Sequence, residues 1–148
     1  MRTRIRELLP CAALLFAGLA LADDAGDRSR LIGTWQPAEQ SGAVWILQGD
    51  DRGLHLTRMQ SDQKVADFEC NTVGRECDIK GARGLKVSMW YSGPKLVVME
   101  TRGTDVVKYR LHAIDDSKLE IEVIPIVPAG KPETVGLTRR VRPPGTSQ

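Results

Sequence analysis

The stretch LKVSMWYSGPKLVVMETRGTDVVKYRLHAIDDSKLEIEV, residues 85–123, decides the fold. Its apolar and polar residues alternate with period two over four short runs, and clusters of Gly, Ser and Asp separate the runs. That is the pattern of half-buried antiparallel strands joined by hairpins. Loops of three residues at Ser92-Gly93-Pro94, Arg102-Gly103-Thr104 and Asp115-Asp116-Ser117 give one register that serves all three hairpins. It aligns Val87, Met99 and Val107, sets Met89, Val97, Tyr109 and Val123 in a row, and puts Leu111 opposite Ile121. The other face then pairs Lys86 with Glu100, Arg110 with Glu122 and His112 with Glu120, opposite charges suited to a solvated surface. Because the side-chain period is two, a slip of one residue would exchange the faces of a strand.

Strand-like runs continue outward on both sides of this stretch. The expected strands are Ile32–Gln36, Val44–Gly49, Leu54–Ser61, Lys64–Cys70, Cys77–Lys80, Leu85–Tyr91, Lys95–Thr101, Asp105–Ile114, Leu119–Pro125 and Glu133–Val141, with no amphipathic helix after Asp27. Eight to ten short antiparallel strands must bury one face and dispose of their edges, and closing an up-and-down meander into a small barrel does both. A two-sheet β-sandwich is the alternative.

Within the first expected strand, Gly33-Thr34-Trp35 resembles the Gly-x-Trp motif of the lipocalins and their calycin relatives. In the last strand Arg139 shares a face with Val135, Leu137 and Val141, the place where those families carry an Arg that packs over the Trp and closes one end of the barrel. The resemblance implies a lipocalin-like barrel that holds a small ligand. Fatty-acid-binding proteins share the Gly-x-Trp start but insert two helices after the first strand. Only Pro37 to Ala43 separate the first two strands here, so the carboxylate-clamping Arg and Tyr residues of that subfamily are not carried over.

At the amino end, Arg2, Arg4 and Arg6 precede an apolar stretch from Leu8 to Leu21 and a small-residue site at Ala20-Leu21-Ala22, the three parts of an export signal. The apolar stretch is about 14 residues, where a membrane span needs ~20, and Pro10 and Gly18 interrupt it. The expected organisation is a signal peptide at 1–22 cleaved before Asp23, a flexible leader at 23–30, one β domain at 31–142 and a disordered tail at 143–148. The expected location is periplasmic or secreted, with no stable membrane anchor. Cleavage would remove Arg2, Arg4, Arg6 and Glu7 and take the formal charge from +2 to about zero, which excludes an electrostatic case for nucleic acid. It would also discard Cys11 and leave Cys70 and Cys77, an even pair expected to form one structural disulfide.

No phosphate loop, nucleophile elbow, His-Glu-x-x-His or Cys-x-x-Cys occurs, and His55 and His112 stand in separate strands without partners at ligand spacing. The sequence therefore marks no catalytic residue, no metal site and no cofactor. Two non-enzymatic readings remain. In the first, an exported binding protein holds a small apolar ligand against Met89, Val97, Tyr109 and Leu111. In the second, a protein-interaction module, such as an inhibitor or envelope-assembly factor, docks a partner on an exposed patch of Trp90, Leu96, Val98 and Val106.

Overall fold

Ten runs of the chain form strands in a computed structural model that describes residues 24–50, 52–79 and 81–141. The expected signal segment and the expected tail lie outside these residues. A short helix, α1 (Asp24–Arg30), precedes β1 (Gly33–Pro37), β2 (Val44–Gly49), β3 (Gly53–Gln60), β4 (Gln63–Asn71) and β5 (Val73–Asp78). The chain continues through β6 (Leu85–Ser92), β7 (Lys95–Arg102), β8 (Asp105–Ala113), β9 (Lys118–Val127) and β10 (Glu133–Arg139). All strands are antiparallel and belong to one sheet in the order β4-β3-β2-β1-β10-β9-β8-β7-β6-β5. The sheet curls until its edges, β4 and β5, stand side by side, so the molecule is a nearly closed up-and-down barrel. The sandwich alternative is set aside.

Each strand sends alternate side chains inward. Trp35, Leu47, Leu54, Leu56, Val87, Met89, Leu96, Val98, Leu111 and Ile121 are fully buried. Burial of a side chain of this size stabilises by about 1.5–3 kcal/mol relative to leaving it in water, so this layer is the main source of cohesion. The seam between β4 and β5 has no ladder of hydrogen bonds among the described residues, and the Cys70–Cys77 disulfide crosses it with a Cα separation of 5.8 Å. Cys70 is buried, and its sulfur also approaches the Val87 carbonyl of β6 at 3.6 Å. The expected turn at residues 71–76 is shorter than anticipated: β5 already starts at Val73, with only Thr72 between the two strands.

The register corrects the expectation for β7. Ser92 pairs with Lys95 and Arg102 with Asp105, so both hairpins turn on two residues, Gly93-Pro94 and Gly103-Thr104. The reason is the glycine at the first central position of each turn, with φ near 59° in both cases, a conformation that suits the tight turn matching strand twist. Every residue of β7 changes face relative to the three-residue loops. Met89 now opposes Val98, and Val98 opposes Tyr109, while Val97 lies on the outer face opposite Trp90 and Arg110. Glu100 turns inward and Lys86 pairs across β5 and β6 with Glu76, at 3.1 Å, instead of with Glu100. The β8–β9 register is as expected, with Tyr109 opposite Val123, Leu111 opposite Ile121 and His112 opposite Glu120. Arg110 reaches Glu122 at 3.3 Å.

Within the expected leader, residues 24–30 form α1, with Asp24 and Asp27 in the first turn and Arg28 and Arg30 in the last, the charge order that complements the helix dipole. Arg30 pairs with Asp27 at 2.6 Å and with Asp116 of the β8–β9 turn at 3.1 Å, and Arg28 donates to the Gly93 carbonyl. Seven residues with no buried apolar face carry no periodic signal, so tertiary contacts at the barrel end, rather than amphipathicity, define this helix.

Candidate functional site

One end of the barrel is shut. Trp35 is fully buried and its indole N–H donates to the Leu31 carbonyl at 2.9 Å. Arg139, facing Trp35 across the β1–β10 ladder, lays its guanidinium over the indole at 4.3 Å. Its three nitrogens donate to three backbone carbonyls: Nε to Asp116 at 2.6 Å, Nη1 to Ile32 at 2.7 Å and Nη2 to Arg30 at 2.5 Å. A planar cation thus gathers the end of α1, the entry to β1 and the β8–β9 turn at one point. Gly33 makes room for it, since a Cβ there would collide with Arg139 Nη1. Trp35 and Arg139 occupy the end-closing positions that the lipocalin resemblance implies.

The opposite end is open. A pocket of about 350 Å³ lies there, lined among others by Ala43, Trp45, Arg58, Tyr109, Val123 and Val135. Ligand pockets typically hold ~300–1,000 Å³, so a small molecule fits. The alternation that buries Leu54 and Leu56 also aims Arg58 inward, and the two-residue turn at Gly103-Thr104 does the same for Glu100. Arg58 and Glu100 meet as a fork, Nη2 donating to Oε2 at 3.0 Å, with Nη1 2.9 Å from Oε1. The second contact is off-line, so it contributes attraction without a directed hydrogen bond. Both side chains are nearly sealed from water, 11% and 5% exposed.

Aromatic rings hold this cation on two sides. Arg58 lies 5.0 Å from the Trp45 ring centre and 4.9 Å from that of Tyr109, and the two rings meet edge to face at 5.4 Å. Burial pushes the Tyr109 hydroxyl above its ordinary pKa of 10.0, because the phenolate would lose its water, while the Arg58 charge opposes that shift. The result is a floor of matched charge and edge-to-face rings beneath apolar walls.

Of the four expected ligand contacts, Tyr109 lines this pocket. Met89 and Leu111 are fully buried in solid core, and Val97, although buried at 3% exposure, is on the outer face with Trp90. The expected docking patch is not formed: Leu96 and Val98 are fully buried inside the barrel, which leaves Trp90 half-buried outside with Val97 and Val73 and leaves Val106 opposite Val127. Trp45, Arg58 and Glu100 escaped the sequence reading. Polar residues in strands read as outward-facing, and the Arg58–Glu100 pairing joins strands 42 residues apart.

A second hollow, about 440 Å³, lies beside the seam, lined by His55, Asp67, Phe68, Glu69, Asp78 and Ile79. Asp67 is held below its usual pKa by hydrogen bonds from His55, at 2.5 Å, and from Lys64, at 3.1 Å. Its open polar floor offers an apolar ligand little to bury. Among the described residues no group of three or more His, Cys, Asp or Glu side chains is arranged to hold a metal ion, and no helix is long and apolar enough to cross a membrane.

A ten-stranded antiparallel meander, shut at one end by an Arg over the Trp of a Gly-x-Trp strand and open at the other, has the lipocalin-like fold of the calycin type. Solved structures bear this out. The chain superimposes on the fluorescent protein UnaG with a TM-score of 0.57 at 17% identity, over 76% of this chain and 98% of that one. It matches the REP1-NXSQ fatty acid transporter with a TM-score of 0.58 at 12% identity, over 77% and 98% of the two chains. A secretary abundant heat soluble protein from Ramazzottius varieornatus matches with a TM-score of 0.51 at 14% identity, over 74% and 92%. No protein-family model matches the sequence, and neither does any curated protein.

Proposed function

We propose that the protein is an exported, non-enzymatic binding protein that takes a small apolar ligand into the open mouth of its barrel. The observation that carries this reading is the pocket at that mouth, where Trp45, Tyr109, Val123 and Val135 present apolar surface around a concavity while the rest of the interior is filled with side chains. Barrels of this size can otherwise be filled by their own side chains. One structural neighbour is a fatty acid transporter, which accords with a carrier role. Export is supported by the signal-like segment before Asp23 and by a Cys70–Cys77 disulfide, a bond that persists in oxidising compartments.

The test uses N-phenyl-1-naphthylamine, an uncharged dye that fluoresces in apolar surroundings. It should brighten with the wild-type protein and lose that response with Val135→Trp. Val135 is 39% exposed on the pocket wall, so an indole there fills the mouth without overpacking the core. A dye that stays dark with the wild type, or binds the variant equally well, overturns the reading.

A further inference from the structure

We infer that the mouth pocket selects uncharged ligands over carboxylates, and that Glu100 is the residue that sets this preference. The inference rests on the ligand-binding reading above and names the ligand class. Arg58 is the cation that lines the pocket, and its charge is already matched: Glu100 lies 2.9 and 3.0 Å from its two terminal nitrogens. The Trp45 and Tyr109 rings also pack against the guanidinium, at 5.0 and 4.9 Å from ring centre to Cζ. The floor is therefore neutral as a unit, with a buried carboxylate directly behind the cation.

An incoming carboxylate would have to shed its water among Ala43, Val123 and Val135 and then compete with Glu100 for Arg58. A desolvated charge without a counter-ion is among the most costly things a pocket can hold, and placing it near a second buried carboxylate adds like-charge repulsion. Arg102 also acts on Tyr109 by its field, but it is exposed in the β7–β8 turn, where solvent screens it and a contact is worth little. An alcohol, ester or amide of the same shape keeps the apolar contacts and carries no charge to desolvate.

Displacement of N-phenyl-1-naphthylamine by dodecan-1-ol and by dodecanoate reads the preference directly. In the wild type the alcohol should displace the dye at a concentration at least tenfold lower than the carboxylate does. Glu100→Gln leaves Arg58 unmatched, and the ratio should shift by tenfold or more toward dodecanoate. The wild-type comparison decides the matter even where the variant does not fold. Equal or tighter binding of dodecanoate by the wild type overturns the neutral preference while leaving ligand binding intact. A folded Glu100→Gln protein with an unchanged ratio removes Glu100 from the role. Failure of the dye and both competitors to bind the wild type defeats the ligand-binding reading itself.

Discussion

Replacing Arg139 with Met keeps an unbranched side chain that reaches about as far as Nε and removes the charge and all the donors. Three carbonyls, those of Arg30, Ile32 and Asp116, then lose the partner that holds them at 2.5, 2.7 and 2.6 Å. Hydrogen bonds to a charged donor contribute about 1.5–3 kcal/mol when shielded, and the two part-buried ones at Arg30 and Ile32 stand at the low end of that range because the guanidinium is partly wet. The bond to Asp116 is exposed and adds about 0.5 kcal/mol, and the stacking on Trp35 about 0.5–1 kcal/mol. The expected loss is about 4 kcal/mol, which for a domain of this size lowers the melting temperature by roughly 15 °C. Thermal unfolding followed by Trp fluorescence measures it, and Arg139→Lys, which keeps the charge but cannot present a planar fork, should recover about half. Amide exchange should rise first in α1 and at Leu31 and Ile32, since these are tied to the barrel through the lost bonds. An Arg139→Met protein that melts within ~3 °C of the wild type would refute the claim that this cation fastens the closed end.

Three further outcomes follow from the same geometry. Gly33→Ala places a methyl where Arg139 Nη1 sits and asks Ala to adopt φ near 144°, so it should cost at least ~2 kcal/mol in urea denaturation, and in the Arg139→Met background the cost should shrink because the collision is gone. Replacing Cys70 and Cys77 with Ser should cost about 2 kcal/mol by the chain-entropy account, with faster amide exchange along Val73–Asp78; unchanged exchange there would mean that β5 does not depend on the seam crosslink. In an ultraviolet absorbance titration Tyr109 should ionise above its ordinary value of 10.0, and Tyr109→Phe should delete that late phase. Its folded pKa is raised, so its effect on stability is absent below pH about 10, and stability falls as pH climbs beyond that point, when the unfolded chain releases the proton and the folded one retains it.

The strands were legible because their alternation is regular and their punctuation strong, and Gly33-Thr34-Trp35 with Arg139 marked the two strands that meet at the closed end. The register of β7 was not legible from its own residues. Leu96-Val97-Val98-Met99 is a continuous apolar run without period-two contrast, so only Glu100 could orient it, and a Glu reads as outward-facing unless its buried partner is known. That partner, Arg58, is on β3 and lies in the same sheet only by way of β2, β1, β10, β9 and β8. The floor of the pocket is therefore a tertiary fact, made by two charges that each look like surface in their own strand. The helix α1 escaped for the reverse reason, since nothing in its seven residues is apolar enough to announce a buried face. By contrast the β8–β9 hairpin came out in register, because Asp115 caps the turn by accepting from the Ser117 and Lys118 amides and sets the loop length.

The sheet order has a kinetic meaning. Among the described residues eight of the nine strand ladders join neighbours in the chain, and those can zip as successive hairpins. The ninth, β1 with β10, joins the two halves, and the Arg139 bond to Ile32 that accompanies it spans 107 residues. Closing so long a loop is the entropically slow event in a chain of otherwise local contacts. The two halves, β1 to β4 and β5 to β10, can thus form as separate curled ribbons, already linked at their outer edges by the Cys70–Cys77 crosslink, and wait for the pairing of Trp35 with Arg139. On this topology the pair that seals one end of the finished barrel is expected to be the last to assemble, which would set the speed of maturation where the interior is most tightly shut.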